Sequence, residues 1–140
     1  MIGIIDDNEI YQFMLTCIIN SNHLAERIIT FTDGEEAIQY LTDNKSNKEN
    51  IPDIIFLDTN MPFMDGWQFI EEYANIKTEL KKKVAIFMLS ALVDPEAIER
   101  ASKISEISKY SIKPIKLEGV KIFFDTYKTF LEDLAMFFNK

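Results

Sequence analysis

Five side chains in this 140-residue sequence stand directly after short apolar runs, at positions that neither helix nor strand packing explains. Asp6 and Asp7 follow Ile2 to Ile5, Asp58 follows Ile54 to Leu57, Ser90 follows Val84 to Leu89, and Lys113 closes Tyr110 to Ile112. If those runs are strands of one sheet, three carboxylates, a hydroxyl and an ammonium converge on one edge. Crowded carboxylates repel, and at least one must keep a proton unless cations neutralise them. Lys113 brings one positive charge. The remaining deficit invites a hard divalent ion, and Mg2+ fits best, because it binds through one or two carboxylates plus waters and phosphate oxygens. Soft metals find no His or Cys cluster, since His23 and Cys17 are each the only residue of their type. Mg2+, an ammonium, a hydroxyl donor and a spare carboxylate are the parts of a phosphoryl transfer. The cations offset charge on the phosphoryl oxygens, and a carboxylate can act as the nucleophile.

The elements that must position these groups alternate along the chain. Ile2 to Ile5 reads as a strand buried on both faces. Ile10, Phe13, Met14, Cys17 and Ile18 have the spacing of one helix face, which places Cys17 in the core. A second strand, Ile28 to Phe31, is followed by Thr32 to Glu35 at capping-box spacing, opening a helix through Ala37, Ile38 and Leu41. Residues 42–52 read as an exposed loop. After the third strand, Asp65-Gly66 reads as a turn whose glycine takes positive φ. A helix on Trp67, Ile70, Tyr73 and Ala74 comes next. Lys81, Lys82 and Lys83 read as a solvated helix end before the fourth strand. Asp94 and Pro95 start a fourth helix. A fifth strand lies near Tyr110 to Ile112, and a last helix runs from about Leu117 to Phe138. Leu117, Val120, Phe124, Tyr127, Leu131 and Leu134 form its apolar stripe, widened by Phe123, Phe130, Phe137 and Phe138 into a surface suited to a partner. Five βα units imply parallel pairing with right-handed crossovers, and they are too few for an eight-stranded barrel. An open, doubly wound α/β sheet flanked by helices is the economical answer. In such sheets the reactive groups gather at the carboxyl ends of the strands, at the switch point of strand order.

Composition sets the outer bounds. With 47% hydrophobic and 27% charged residues, the chain can build one core without disulfide or metal staples. Its 15 basic and 23 acidic side chains leave a net charge of −8, and residues 1–70 hold only 3 basic against 12 acidic ones. Such an acidic surface disfavours direct nucleic-acid binding. One cysteine excludes an intrachain disulfide and suits a reducing compartment. No apolar run approaches the ~18 residues of a membrane span, and the first residues lack the basic segment and cleavage site of a signal peptide. A single cytoplasmic domain is expected.

In order, Asp6-Asp7, the block from Leu57-Asp58-Thr59-Asn60-Met61-Pro62 to Met64-Asp65-Gly66, Ser90-Ala91, and Tyr110-Ser111-Ile112-Lys113-Pro114 resemble the receiver domain of two-component response regulators, of the chemotaxis-type single-domain kind. The resemblance spans essentially the whole chain. It implies a flavodoxin-like sheet of order 2-1-3-4-5 and one receiver domain over 1–140 with no output domain. It also implies that Asp58 is the phosphoacceptor, charged by a histidine kinase or a phosphotransfer protein. Asp7 would bind Mg2+ directly, Asp6 mostly through a metal-bound water, and the Asn60 backbone carbonyl would complete the ligands, with Asp58 itself. Ser90 and Lys113 would contact the phosphoryl group, and Tyr110 would be the aromatic switch. The surface of helix four, strand five and helix five would then change toward a downstream protein, and could pair two copies. Ser90 stands where threonine is commoner, and Leu92 occupies a site often filled by a polar group. Two other readings compete. A phosphatase with an aspartyl nucleophile would need a second aspartate where Asn60 stands. A phosphorylation-independent interaction module would usually lack an acidic residue or the lysine, and all are present here.

Overall fold

A computed structural model describes residues 1–113, 118–122, 124 and 125. Five strands, β1 (Ile2–Ile5), β2 (Ile28–Phe31), β3 (Ile54–Asp58), β4 (Ala85–Ser90) and β5 (Ile107–Ile112), pair in parallel in the order β2-β1-β3-β4-β5. Helices α1 (Glu9–Ser21), α2 (Gly34–Asp43), α3 (Gly66–Ile76) and α4 (Pro95–Ser102) make the connections. Residues 118–122, 124 and 125 are helical after β5. The expected doubly wound, flavodoxin-like sheet is the observed one.

Because successive side chains of a strand point to opposite faces, each apolar run supplies two cores. Ile2, Ile4, Ile54, Phe56, Ala85, Phe87 and Leu89 pack with Tyr11, Leu15 and Ile19 of α1 and with Val120, while Phe124 lies against the same cluster. Ile5, Ile55, Leu57, Ile86 and Met88 face the other way, onto Ala37 and Leu41 of α2 and Phe69, Ile70 and Tyr73 of α3. Strands β1, β3 and β4 are buried at every position, whereas the edge strands β2 and β5 are half-exposed. The register brings Ile5 level with Leu57 and Leu57 level with Met88. The carboxyl ends of the three central strands therefore open at one height.

The structure turns α1 away from the face its spacing suggests. Tyr11, Leu15 and Ile19 are buried, while Ile10 and Phe13 are 82% and 71% exposed and Cys17 is exposed rather than a core filler. Apolar residues cover most of this helix, so spacing alone offers two stripes. Asn8 caps the first turn, its side chain accepting from the Ile10 and Tyr11 N–H groups, and packing of Tyr11, Leu15 and Ile19 on the sheet selects the buried stripe.

Smaller corrections have identifiable contacts behind them. Asp33, not Thr32, caps α2, accepting from the Glu36 N–H at 2.8 Å. The 42–52 segment is pinned at its end by Ile51 and Pro52, both buried. Lys82 is not a solvated charge; it pairs with Asp53 at 2.9 Å and donates to the Ile51 carbonyl. Strand β5 begins three residues earlier than its apolar run, because backbone pairing with β4 extends over Ile107 to Lys109. Asp94 and Pro95 start α4 as read. Of the last helix, Leu117, Phe123, Tyr127, Phe130, Leu131, Leu134, Phe137 and Phe138 lie outside the described residues.

Candidate functional site

The site grows from the ends of β1 and β3, the neighbours between which the chain reverses its winding direction. Asp6 follows β1 and is 2% exposed. Its backbone is held on both sides: its N–H donates to the Phe31 carbonyl at 3.0 Å, and the Gln12 side-chain amide donates to the Asp6 carbonyl at 2.7 Å and the Phe31 carbonyl at 2.8 Å. Its carboxylate is engaged as well, Oδ1 accepting from the Asn8 N–H at 2.9 Å and Oδ2 from Lys113 Nζ at 2.6 Å.

Asp58 is the last residue of β3 and is 5% exposed. The Thr59 N–H donates to the Leu89 carbonyl and the Gly66 N–H to the Thr59 carbonyl, tying this strand end to β4 and to the start of α3. Gly66 is needed for closeness rather than for positive φ, which no described glycine adopts. A Cβ there would lie 2.5 Å from the Asp58 carbonyl oxygen and 2.9 Å from Thr59 Cα. Asp65 caps α3 in a reciprocal box with Gln68. The strain sits one turn earlier, where Phe63 takes φ 66° and the Met64 N–H closes a three-residue turn on the Pro62 carbonyl at 2.7 Å.

Lys113 links the far edge to the centre. Its N–H donates to the Ser90 carbonyl at 2.7 Å, and its Nζ lies 2.6 Å from Asp6 Oδ2, 3.3 Å from Asp58 Oδ1 and 4.3 Å from the centre of the Tyr11 ring. Asp6, Asp7 and Asp58 each bring a carboxylate oxygen within 4.8 Å of the others, with Asp7 exposed at the mouth. One ammonium does not balance three carboxylates. Burial and then the charge of Asp6 push the Asp58 carboxyl up to about 6, against the opposing pull of Lys113 and the Asn60 N–H. An all-oxygen donor set with surplus negative charge and one solvent-facing member suits a hard divalent cation such as Mg2+.

The structure does not bring every expected residue onto that cluster. The Ser90 hydroxyl is turned onto its own loop, accepting from the Leu92 N–H and donating to the Leu92 carbonyl, both at 3.2 Å. Tyr110 lies on the other side of the sheet end, half-buried, stacked on Trp67 at 6.3 Å with 19° between the rings. Arg100 of α4 lies 4.2 Å over the same Trp67 ring. Two residues at the site escaped the sequence reading, Tyr11 and Gln12. No local signal marks either, because their place is set by packing on the sheet and by the bonds of Gln12 to the β1 and β2 ends.

A family model described as the response regulator receiver domain matches residues 2–122. The chain belongs to this family. Among curated relatives, the receiver is 22% identical over 121 residues to the probable methanogenesis regulatory protein FilR2 of Methanothrix harundinacea, covering 86% of this chain and 76% of that one. It is 30% identical over 105 residues to the probable C4-dicarboxylate response regulator DctR of Bacillus subtilis, covering 75% of this chain but only 42% of the relative's length. Among solved structures, a two-component response regulator from Cytophaga hutchinsonii superposes with a TM-score of 0.83 at 28% identity, covering 91% of this chain and 96% of that one. The Vibrio cholerae chemotaxis protein CheY4 shares the fold, with a TM-score of 0.68 at 22% identity, over 89% of this chain and 94% of its own. A receiver is a phosphoacceptor module of two-component signalling, and this chain has that role. Among the described residues no helix is long and apolar enough to cross a membrane.

Proposed function

We propose that Asp58 is the residue that accepts the phosphoryl group, from a histidine kinase or a phosphotransfer protein in the cytoplasm. One observation supports this reading: of the two buried carboxylates at the switch point, Asp6 is engaged at both oxygens, by the Asn8 N–H and by Lys113 at 2.6 Å, whereas Asp58 ends β3 with Lys113 at the longer distance of 3.3 Å and the other two aspartates beside it. An Asp58 oxygen forms a bond to phosphorus as the phosphorus–nitrogen bond of the donor's phosphohistidine breaks, and the imidazole leaves with the electron pair. Asp7, Asp6, Asp58 and the Asn60 carbonyl are the groups that would hold Mg2+, which when bound offsets charge on the phosphoryl oxygens. Asp6 suits an indirect share in that task, since both of its oxygens already accept hydrogen bonds. Lys113 pairs with the phosphoryl group, and Ser90 reaches it by giving up its bonds to Leu92. As Ser90 turns, Tyr110 shifts inward and its stack on Trp67 changes, altering the face of α4 and β5 that meets a downstream protein or a second copy.

The test is intact mass after incubation with acetyl phosphate and Mg2+, beside an EDTA control and an Asp58→Asn variant. One phosphoryl group gained only with metal and only with Asp58 is expected; uptake by the variant would move the acceptor elsewhere. Light scattering with and without a phosphoryl mimic reads the self-association of the same face.

A further inference from the structure

Among the groups around the acidic cluster, the Tyr11 ring has no part in the chemistry above, yet it lies against the Lys113 ammonium. Its centre lies 4.3 Å from Lys113 Nζ, which also has the Asp6 and Asp58 oxygens at 2.6 and 3.3 Å. Tyr11 is 7% exposed and packed among Leu15, Ile4 and Phe56, so its ring is held in place by the core of α1 rather than by the site. Lys113 is the opposite case. It stands just after the edge strand β5, on a long stem with many rotamers, and its side chain is only 14% exposed. A ring face attracts an ammonium through its quadrupole, most strongly where water is excluded.

We propose that Tyr11 is a positioning residue for Lys113, its ring holding the ammonium between Asp6 and Asp58 and so at the place where the phosphoryl group arrives. This rests on the receiver reading above. Without the ring the ammonium swings out toward water, away from the place where the phosphoryl group arrives. The hydroxyl is not needed for this, only the aromatic face.

The variants are therefore Tyr11→Phe, which keeps the face, and Tyr11→Leu and Tyr11→Met, which keep an apolar side chain without it. Two readouts separate positioning from simple core filling. In metal-free protein, NMR of the Lys113 ε-methylene group should show an upfield ring-current shift in the parent and in Tyr11→Phe, lost in Tyr11→Leu and Tyr11→Met. With saturating Mg2+ and acetyl phosphate, the rate of phosphoryl uptake should fall by about tenfold in whichever aliphatic variant folds, while Tyr11→Phe keeps the parent rate. Mg2+ affinity, titrated separately, should not weaken in any variant. Unchanged Lys113 resonances or an unchanged rate in the aliphatic variants overturns the proposal. So does a loss of rate that Tyr11→Phe shares, or one that follows a loss of Mg2+ affinity, because each marks Tyr11 as scaffold. A parent protein that takes up no phosphoryl group fails the receiver reading itself, and the metal-free NMR comparison then still decides where the ring holds the lysine.

Discussion

At the scale of single residues, the site is a place where folding and function pull apart. The Asp58 carboxyl is raised by burial and by Asp6 to about 6, so the folded chain holds its proton more tightly than the unfolded chain does. The stability linked to that proton is fully present below the ordinary value of 3.8 and is lost as pH rises through 6. In metal-free buffer at pH 7.5, Asp58→Asn should therefore be more stable than the parent, on the order of 2 kcal/mol. Thermal melts along a pH series check this, and the gap should close on acidification toward pH 4. Gly66 answers to geometry instead of charge. A methyl group there meets the backbone of Asp58 and Thr59, which cannot move aside as a flexible side chain would. Gly66→Ala should cost about 2 kcal/mol in denaturant unfolding and slow phosphoryl uptake, because the clash displaces the strand end that carries Asp58.

At the scale of elements, α1 shows how one helix can serve both the core and the surface. Its inner stripe, Tyr11, Leu15 and Ile19, meets the sheet, and Gln12 beside it clips the ends of β1 and β2. Leu15 is fully buried, so Leu15→Ala should cost about 3 kcal/mol in chemical denaturation. Cys17→Ser should stay within about 0.5 kcal/mol of the parent, since that side chain faces water. Equal costs for the two substitutions would contradict the observed rotation of the helix. The three central strands were legible because a run buried on both faces is short, continuous and rich in Ile, Leu and Phe, whereas the half-exposed edge strand β5 begins three residues before its apolar run. The rotation of α1 was not, because apolar residues on most of its circumference leave periodicity without a preferred direction.

At the scale of the whole molecule, the acidic cluster and the aromatic stack are joined through β4 and β5. Ser90 ends β4, Lys113 follows β5, and Tyr110 stands three residues before Lys113 on the strand that α4 packs against. Trp67 is the only tryptophan in the chain and stacks on Tyr110 from α3, with Arg100 of α4 on its ring. Its emission should therefore change when a phosphoryl group is added to Asp58 in the presence of Mg2+, and Tyr110→Ala should abolish most of that change. An unaltered spectrum on full phosphorylation would place the switch elsewhere.

The sequence by itself determined the fold class, the parallel order of βα units and the residues that stand at the strand ends. It could do so because buried parallel strands and the groups just after them leave marks that depend only on local spacing. Tertiary structure alone decided which face of α1 is inside, that Lys113 lies between Asp6 and Asp58 with Tyr11 against it, and that Ser90 rests on its own loop. The first two depend on groups as much as 107 residues apart in the chain, brought together by the sheet, and no local pattern records such a meeting; the third is a contact between residues two apart that the hydroxyl makes only once the strand end is in place.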